Sequence, residues 1–376
     1  MEFDFNLKTH AIFGSERALD IPQHLMNLKH KDVAVIIDEN VLKSDYAKKV
    51  ANKISDEVEG EYLFINYEGN KEPTYQMLDE TMTLHRSFFG HIDCFVGIGG
   101  GSVIDFAKGL AFLTTNSGPA IQYRGFPQNI HNPIPTIAVP TTAGSGSEVT
   151  YNAVFVDEKE HKKLGINTTL NFPELAILDP LFLKDCPPSV MISSGLDALT
   201  HAIEGFGATK SNYLTRMFSY KALCLILNNL PKAVKSKEIF YVSNMMLGAY
   251  LAGIGLMNSG SGPAGAMSYI LGPKFNVPHG LAGAVFLPHI VNHNEKEKAI
   301  YFDYNDWRGE CDELYPMLYD LYKELGVDYT SLKQFGIDES NVDILLKGVE
   351  TLQPAFNQNP VPFSIEDAKR IIRGMI

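Results

Sequence analysis

The sequence predicts an α/β domain built on a parallel sheet over residues 1–180, followed by an all-helical domain over residues 181–376. Three observations carry this reading. In the first half, short and almost wholly apolar runs alternate with helical stretches, as strands buried on both faces and their crossover helices do. After Leu178-Asp179-Pro180 the β-branched runs nearly vanish and helical periodicity takes over. The chain has 376 residues, 45% hydrophobic and 20% charged, an ordinary globular balance long enough for two cores.

The elements follow in order. Asp32-Val33-Ala34-Val35-Ile36-Ile37 is an apolar run that stops at Asp38. Glu61-Tyr62-Leu63-Phe64-Ile65, Cys94-Phe95-Val96-Gly97-Ile98 and Pro135-Thr136-Ile137-Ala138-Val139-Pro140 are three more. Helical stretches near 41–57 and 75–89 separate the earlier runs. Beyond 180, helices are expected over 188–206, 212–229, 236–257, 264–271, 281–292, 312–325, 340–352 and 365–375. The Pro- and Asn-containing stretch 353–363 reads as a loop, and Ser364 as the N-cap of the last helix. Met245 to Met257 is apolar but short and dotted with glycine, which marks a buried helix rather than a membrane span.

The formal net charge is −12 and the pI about 5.4. Nucleic acid and anionic membrane surfaces attract basic patches, so neither is expected as the main partner. A small anionic ligand needs only a local positive site and is not excluded. The four cysteines, Cys94, Cys186, Cys224 and Cys311, are scattered and form no CxxC pair. Disulfides and a thiolate zinc site are therefore not expected, and a reducing, cytoplasmic setting fits. The acidic start Met1-Glu2-Phe3-Asp4-Phe5 lacks the basic-then-apolar pattern of a secretion signal.

The chemistry begins at Gly97-Ile98-Gly99-Gly100-Gly101-Ser102, between an expected strand and an expected helix. Glycines let the backbone approach a phosphate closely, and the free N–H groups and dipole of a helix start favour an anion. Gly99, Gly100, Gly101 and Ser102 are thus read as the pyrophosphate site of a dinucleotide on a Rossmann-like sheet, although the spaced GxGxxG pattern is missing. A second polar loop, Pro140-Thr141-Thr142-Ala143-Gly144-Ser145-Gly146-Ser147-Glu148, offers hydroxyls and backbone N–H groups to the same ligand. Asp38, at a strand end, is placed to accept hydrogen bonds from ribose hydroxyls and to repel a 2′-phosphate, which favours NAD over NADP. Farther on, Asp197 and His201 are four apart on an expected helix and share a face, a spacing suited either to a divalent metal or to a polar pair. His279, in Val277-Pro278-His279-Gly280, is a third candidate ligand.

Taken together, Gly-Gly-Gly-Ser-Val-Ile-Asp (99–105), Pro-Thr-Thr-Ala-Gly-Ser-Gly-Ser-Glu-Val-Thr (140–150), Asp-Ala-Leu-Thr-His-Ala-Ile-Glu (197–204) and Pro-His-Gly-Leu-Ala (278–282) stand in the order of the iron-containing alcohol dehydrogenase family, which the chain resembles from about residue 8 to its end. The resemblance implies the dehydroquinate synthase-like fold, hydride exchange between a nicotinamide cofactor and an alcohol or aldehyde, and a homo-oligomer, a dimer. It places Asp38, Gly100, Gly101, Ser102, Thr141, Thr142 and Ser145 on cofactor contacts, and Asn152 and Lys163 near the nicotinamide half. It places metal ligands, for iron or zinc, on Asp197, His201 and His279. The fourth ligand position, normally histidine, is Gly265 here, and a second histidine usual four residues later is Tyr269. Three ligands remain for an open metal site. Alternatively there is no metal, and Tyr269 protonates the alkoxide with help from a cation such as Lys163. Glu204, one turn farther along the Asp197 face, is read as structural.

Tyr151, Phe206, Tyr269, Lys274, Phe356 and Asn357 are candidate substrate-lining residues. The stretches 122–126, 163–167 and 353–357 look most like the branch acting on 3-deoxy-octulosonate-type sugar acids, which points to a polyhydroxylated, sugar-like alcohol. Two other readings stay open: an NAD-dependent cyclase of the dehydroquinate-synthase kind, a lyase overall, and an NAD-binding protein that has lost catalysis.

Overall fold

A computed structural model describes residues 2–69, 71–160, 162–297 and 314–376. Two compact units segregate: Leu7–Pro187 with Lys237–Leu247, and Met1–Asn6 with Pro188–Ser236 and Gly248–Ile376. The main passage between them falls at Pro187–Pro188, where the sequence analysis divides at 180. The short crossings by residues 1–6 and 237–247 have no signature in the sequence.

The first unit holds a six-stranded sheet in which every pairing is parallel. Its strands are β1 (His10–Phe13), β2 (Val33–Asp38), β3 (Tyr62–Tyr67), β4 (Cys94–Gly99), β5 (Thr136–Pro140) and β8 (Leu175–Leu178), in the order β1-β8-β5-β4-β2-β3. β6 (Val154–Asp157) and β7 (Lys162–Gly165) form a separate antiparallel hairpin. Four strands match the apolar runs. β1 and β8 were not anticipated, because His-Ala-Ile-Phe and Leu-Ala-Ile-Leu are short and carry only one β-branched residue each. Helices α1 (Ile21–Leu28), α2 (Asp45–Glu57), α3 (Tyr75–Leu84), α4 (Arg86–Phe89), α5 (Gly101–Thr115) and α6 (Leu181–Lys184) cover the sheet. α2 starts later than the expected residue 41 because Ser44 caps it, its hydroxyl accepting from the Ala47 N–H, and residues 41–43 form a separate 3₁₀ turn.

Strand alternation divides the core into two layers. Val33, Val35 and Ile37 pack with Val96, Ile98, Ile137 and Val139 against α1 and α2. Ala34, Ile36 and Phe95 face the other way, against α3, α5 and Phe155. Each large apolar side chain buried in this way contributes about 2 kcal/mol. The helix after β2 therefore covers one face and the helix after β4 the other. Because β2 and β4 are neighbours, a topological switch point lies between their carboxyl ends, at Asp38 and Gly99. Open α/β sheets bind ligands at such a point.

The second unit is helical: α7 (Pro188–Gly207), α8 (Tyr213–Ser236), the carboxyl part of α9 (Ile239–Ser259), α10 (Pro263–Phe275), α11 (His279–Ala284), α12 (Leu287–Lys296), α13 (Leu314–Leu325), α14 (Val342–Val349), α15 (Gln353–Phe356) and α16 (Ile365–Gly374). The helix expected over 281–292 is split in two, with Pro288 in the first turn of α12 where its missing N–H costs nothing. The expected loop 353–363 opens with α15. The start expected at 312 for α13 lies outside the described residues, as does Cys311. Ser364 caps α16 in a reciprocal capping box with Asp367. Among the described residues α9 is the one helix long and apolar enough to cross a membrane, and half of that stretch is buried in the protein.

Candidate active site

At the switch point, β4 ends in Gly99 and α5 begins at Gly101, with Gly100 as an extended N-cap that offers no side-chain acceptor. The first N–H groups of this fifteen-residue helix are thus left for a ligand. Glycine is required sterically on either side of Gly100. A Cβ on Gly99 would overlap the Val103 side chain and one on Gly101 the Ser145 hydroxyl, whereas one on Gly100 would only touch the Thr142 hydroxyl, at 3.4 Å. The 140–148 loop is held against the turn by the Thr141 N–H, which donates to the Gly99 carbonyl at 2.9 Å. The structure therefore brings Gly99, Gly100, Gly101, Ser102, Thr141, Thr142 and Ser145 together.

The Thr141 hydroxyl is buried and has no partner within the protein. A buried polar atom left without a partner costs about 1–3 kcal/mol. Its position beside the glycine turn fits a ligand rich in acceptors, such as a pyrophosphate, and so the residues present suit a dinucleotide.

Asp38 stands across the switch point. Its Oδ1 accepts from the Asn40 N–H at 2.8 Å, and burial, opposed by the Asn40 and Val41 N–H groups, pushes its carboxyl above the ordinary carboxylate range. A Cβ on Gly69 would come 2.6 Å from that oxygen, so glycine keeps the space beside the carboxylate open.

Asn152 and Lys163 are fixed by partners that the sequence did not reveal. The Asn152 amide donates to Asn167 Oδ1 at 3.0 Å. The Lys163 ammonium lies 2.6 Å from the Glu72 carboxylate. Its charge is therefore paired with a carboxylate of its own unit.

The same unit holds a buried polar cluster that sequence reasoning missed. Lys108, on α5, is 1% exposed and donates to the Ser147 carbonyl at 2.6 Å, and to the Ser147 hydroxyl, the Thr150 carbonyl and the Asn152 carbonyl, each at 2.9 Å. The Ser147 hydroxyl in turn donates to Asp105, whose other oxygen accepts from the Val154 N–H at 3.0 Å. Burial pulls Lys108 down to about 8 against the pull of Asp105 and Glu148, and pushes Glu148 up to about 7. The available signal was an Asp and a Lys three apart, one turn into the helix that follows the glycines.

In the helical unit, Asp197 and His201 share a face of α7, with Oδ1 and Nε2 3.6 Å apart. His279 opens α11 and places its Nε2 4.0 Å from the same oxygen. α11 comes this close because residue 280 is glycine: a Cβ there would overlap the Ser193 carbonyl and lie 3.0 Å from the Asp197 Cβ. The Ser268 hydroxyl donates to the Gly265 carbonyl at 2.6 Å, so toward His279 Nδ1, at 3.3 Å, it accepts. Tyr269 stacks on the His279 ring with centroids 5.6 Å apart.

The site is less complete as a metal centre than the resemblance implies. Among the described residues, no group of three or more His, Cys, Asp and Glu side chains is arranged to hold a metal ion. Gly265 offers no side chain, and a Cβ there would overlap the Ser261 hydroxyl. Glu204 is not available as a substitute. Its buried carboxylate accepts from the N–H groups of Gly262, Ala264 and Gly265 and from the Ser261 hydroxyl, closing the start of α10. The His201 Nδ1 is buried without a partner, so that ring lacks the outer hydrogen bond that usually orients a metal-bound histidine. As placed, Asp197, His201 and His279 leave the cage one ligand short of the family's four, with both imidazole Nε2 atoms within 4.0 Å of Asp197 Oδ1.

Of the candidate substrate-lining residues, Phe206 and Phe356 are core, 3% and 1% exposed. Tyr151 packs edge-on against Phe172. Tyr269 remains partly open, and Lys274 and Asn357 are exposed.

The whole chain has recognisable relatives. Residues 8–180 match the family described as iron-containing alcohol dehydrogenase, and residues 191–376 match the C-terminal domain of the same family. Alcohol dehydrogenase 4 of Schizosaccharomyces pombe is 30% identical over 294 residues, 78% of this chain and 69% of the relative. The NAD-dependent methanol dehydrogenase of Bacillus methanolicus is 26% identical across 99% of this chain and 100% of its own. The crystal structure of a 1,3-propanediol oxidoreductase superposes with a TM-score of 0.89 at 25% identity, covering all of both chains. The chain therefore belongs to the iron-containing alcohol dehydrogenase family, a family of NAD-dependent alcohol dehydrogenases and aldehyde reductases, and is an oxidoreductase acting on CH–OH groups.

Proposed function

We propose that this enzyme transfers a hydride between NAD and the carbinol carbon of a polyhydroxylated, sugar-like alcohol. The observation that carries the cofactor assignment is the buried, unpartnered Thr141 hydroxyl beside the glycine turn. Bound NAD supplies the hydride acceptor in oxidation and the donor in reduction, and the protein supplies orientation and charge. Gly99–Gly101, Ser102 and the first N–H groups of α5 hold the pyrophosphate, with Thr141, Thr142 and Ser145 closing over it. Asp38 takes the adenine ribose and disfavours a 2′-phosphate. Asn152 and Lys163 line the nicotinamide side, with Lys163 oriented by Glu72.

In the helical unit, Asp197, His201 and His279 form the polar wall that receives the alcohol, and Tyr269 handles its proton. Tyr269 would take the hydroxyl proton as the phenolate in oxidation, becoming the phenol, and as the phenol would return it to the carbonyl oxygen in reduction. Placed protons of this kind are worth about 10²–10⁴ in rate. A polyhydroxylated substrate is favoured because the side chains gathered around Asp197 are imidazole, hydroxyl and phenol rather than aliphatic. The open edge of β1, paired only to β8, with Phe13 exposed beside it, favours a dimer.

The test is NADH formation followed spectroscopically across a panel of sugar-derived alcohols, butanol and propanediol. The reading expects net NADH accumulation and its highest kcat/KM on a sugar-derived alcohol. A higher kcat/KM on butanol or propanediol removes the substrate assignment, and substrate consumption without NADH accumulation removes the dehydrogenase assignment.

A further inference from the structure

The phosphate turn, residues 99–102, and the stretch 147–152 that leads from the second polar loop to Asn152 have no covalent reason to hold a fixed spacing. They belong to different strand–helix connections and carry few apolar side chains. Beyond the Thr141 N–H on the Gly99 carbonyl, which holds the start of the second loop, what joins them is one buried cation. Lys108 lies two turns along the helix that opens at the phosphate turn, and its ammonium reaches three backbone carbonyls in the second stretch, those of Ser147, Thr150 and Asn152. Its three protons meet four acceptors, counting the Ser147 hydroxyl, so no other group is needed to satisfy it. Asp105, from the same helix, extends the link. It accepts from Ser147 and from the Val154 N–H at the start of β6, and β6 pairs Val156 with Lys163 on β7. Glu148 and Lys163 are the other charges acting on this pair.

We infer that Lys108 is a positioning residue that fixes the nicotinamide-side elements, Asn152 and the β6–β7 hairpin, against the phosphate turn. It does so through backbone carbonyls, without itself touching the cofactor. Turning the carbonyls of residues 147, 150 and 152 toward one ammonium sets the course of that loop, and Asp105 ties the following strand to the same point. A buried charge is costly unless fully hydrogen-bonded. This one is, and its partners are backbone atoms of a site loop rather than of the core.

The inference rests on the NAD reading above, and the experiment separates the two. Isothermal titration measures NAD⁺ and ADP-ribose binding to the wild-type enzyme and to Lys108→Met, with thermal melts alongside. ADP-ribose engages the phosphate turn and both riboses but has no nicotinamide. The expected result is that the variant keeps ADP-ribose affinity within about threefold, binds NAD⁺ about tenfold more weakly and loses turnover. Ser147→Ala, which leaves the ammonium on its carbonyls but cuts the hydroxyl link to Asp105, is expected to move the same ratio about threefold and decides the matter if Lys108→Met does not fold. Equal weakening of both ligands, or no change in either, marks Lys108 as merely structural and overturns the inference. A wild-type enzyme that binds neither ligand overturns the NAD reading itself.

Discussion

Single side chains at the switch point set which cofactor fits. Asp38 is held by the Asn40 N–H, with Gly69 leaving room beside its carboxylate. A carboxylate at this point repels a 2′-phosphate and accepts from a free 2′-hydroxyl. Asp38→Ala is therefore expected to raise the KM for NAD about tenfold while lowering that for NADP, and an unchanged NAD/NADP preference in steady-state kinetics contradicts the assignment. Glu148 makes a different kind of statement. Burial raises its carboxyl from an ordinary 4.5 to about 7, more than its own backbone N–H and Lys108 lower it. The folded protein thus binds a proton more tightly than the unfolded chain does. Glu148 contributes to stability below about pH 4.5, and that contribution is lost as pH rises through 7. Glu148→Gln should melt about 2–4 °C above wild type at pH 8 and together with it at pH 5, and an equal offset at both pH values rules this out.

At the scale of elements, what matters is how closely two helices approach. α11 lies on α7 with Gly280 against the Ser193 carbonyl, and this contact carries His279 to Asp197. Gly280→Ala forces the pair apart. Turnover is expected to fall about 100-fold while the NAD affinity of the other unit stays within twofold, a split read from kcat and from titration. The neighbouring start of α10 is closed by Glu204, and Gly265 adds no ligand. Protein purified without chelator should accordingly carry less than about a tenth of an equivalent of Fe, Zn, Mn, Co or Ni and keep its activity in EDTA, because position 265 supplies no fourth donor and the His201 ring lacks the outer hydrogen bond that strengthens a metal ligand. Metal near one equivalent with loss of activity in EDTA overturns that expectation. These features differ in how far the sequence could show them. β2, β4, β5 and α5 were legible because burial on both faces writes continuous apolar runs and a glycine cluster marks the strand-to-helix turn. β1 and β8 were not, since four residues carry too little pattern. The convergence of Lys108 on three carbonyls was hidden because a backbone acceptor leaves no trace in the identity of the residue that bears it, and the tie of Lys163 to Glu72 because two opposite charges far apart in the chain form no local pattern.

For the whole molecule, the order of strands bears on what the chain does in company. Among the described residues β1 forms one margin of the sheet and pairs only with β8, so its other edge presents backbone N–H and C=O groups that none of them takes up in a strand pairing, beside an exposed Phe13. An edge of this kind is either blunted or paired. β1 carries no proline and no lysine, two of the usual blunting devices, and the charges flanking it in sequence are Lys8 before it and Glu16 and Arg17 after it. Pairing with a second copy would satisfy those groups and cover Phe13. Light scattering on the purified enzyme should therefore give twice the 41.7 kDa chain mass. Ala11→Pro, which removes an outward-facing donor because the His10 and Gly14 N–H groups on either side of it point to β8, should shift the species toward the single-chain mass. A wild-type enzyme that runs at the single-chain mass at micromolar concentration refutes the dimer. A dimer unmoved by Ala11→Pro, with its melting temperature retained, locates the interface elsewhere on the surface.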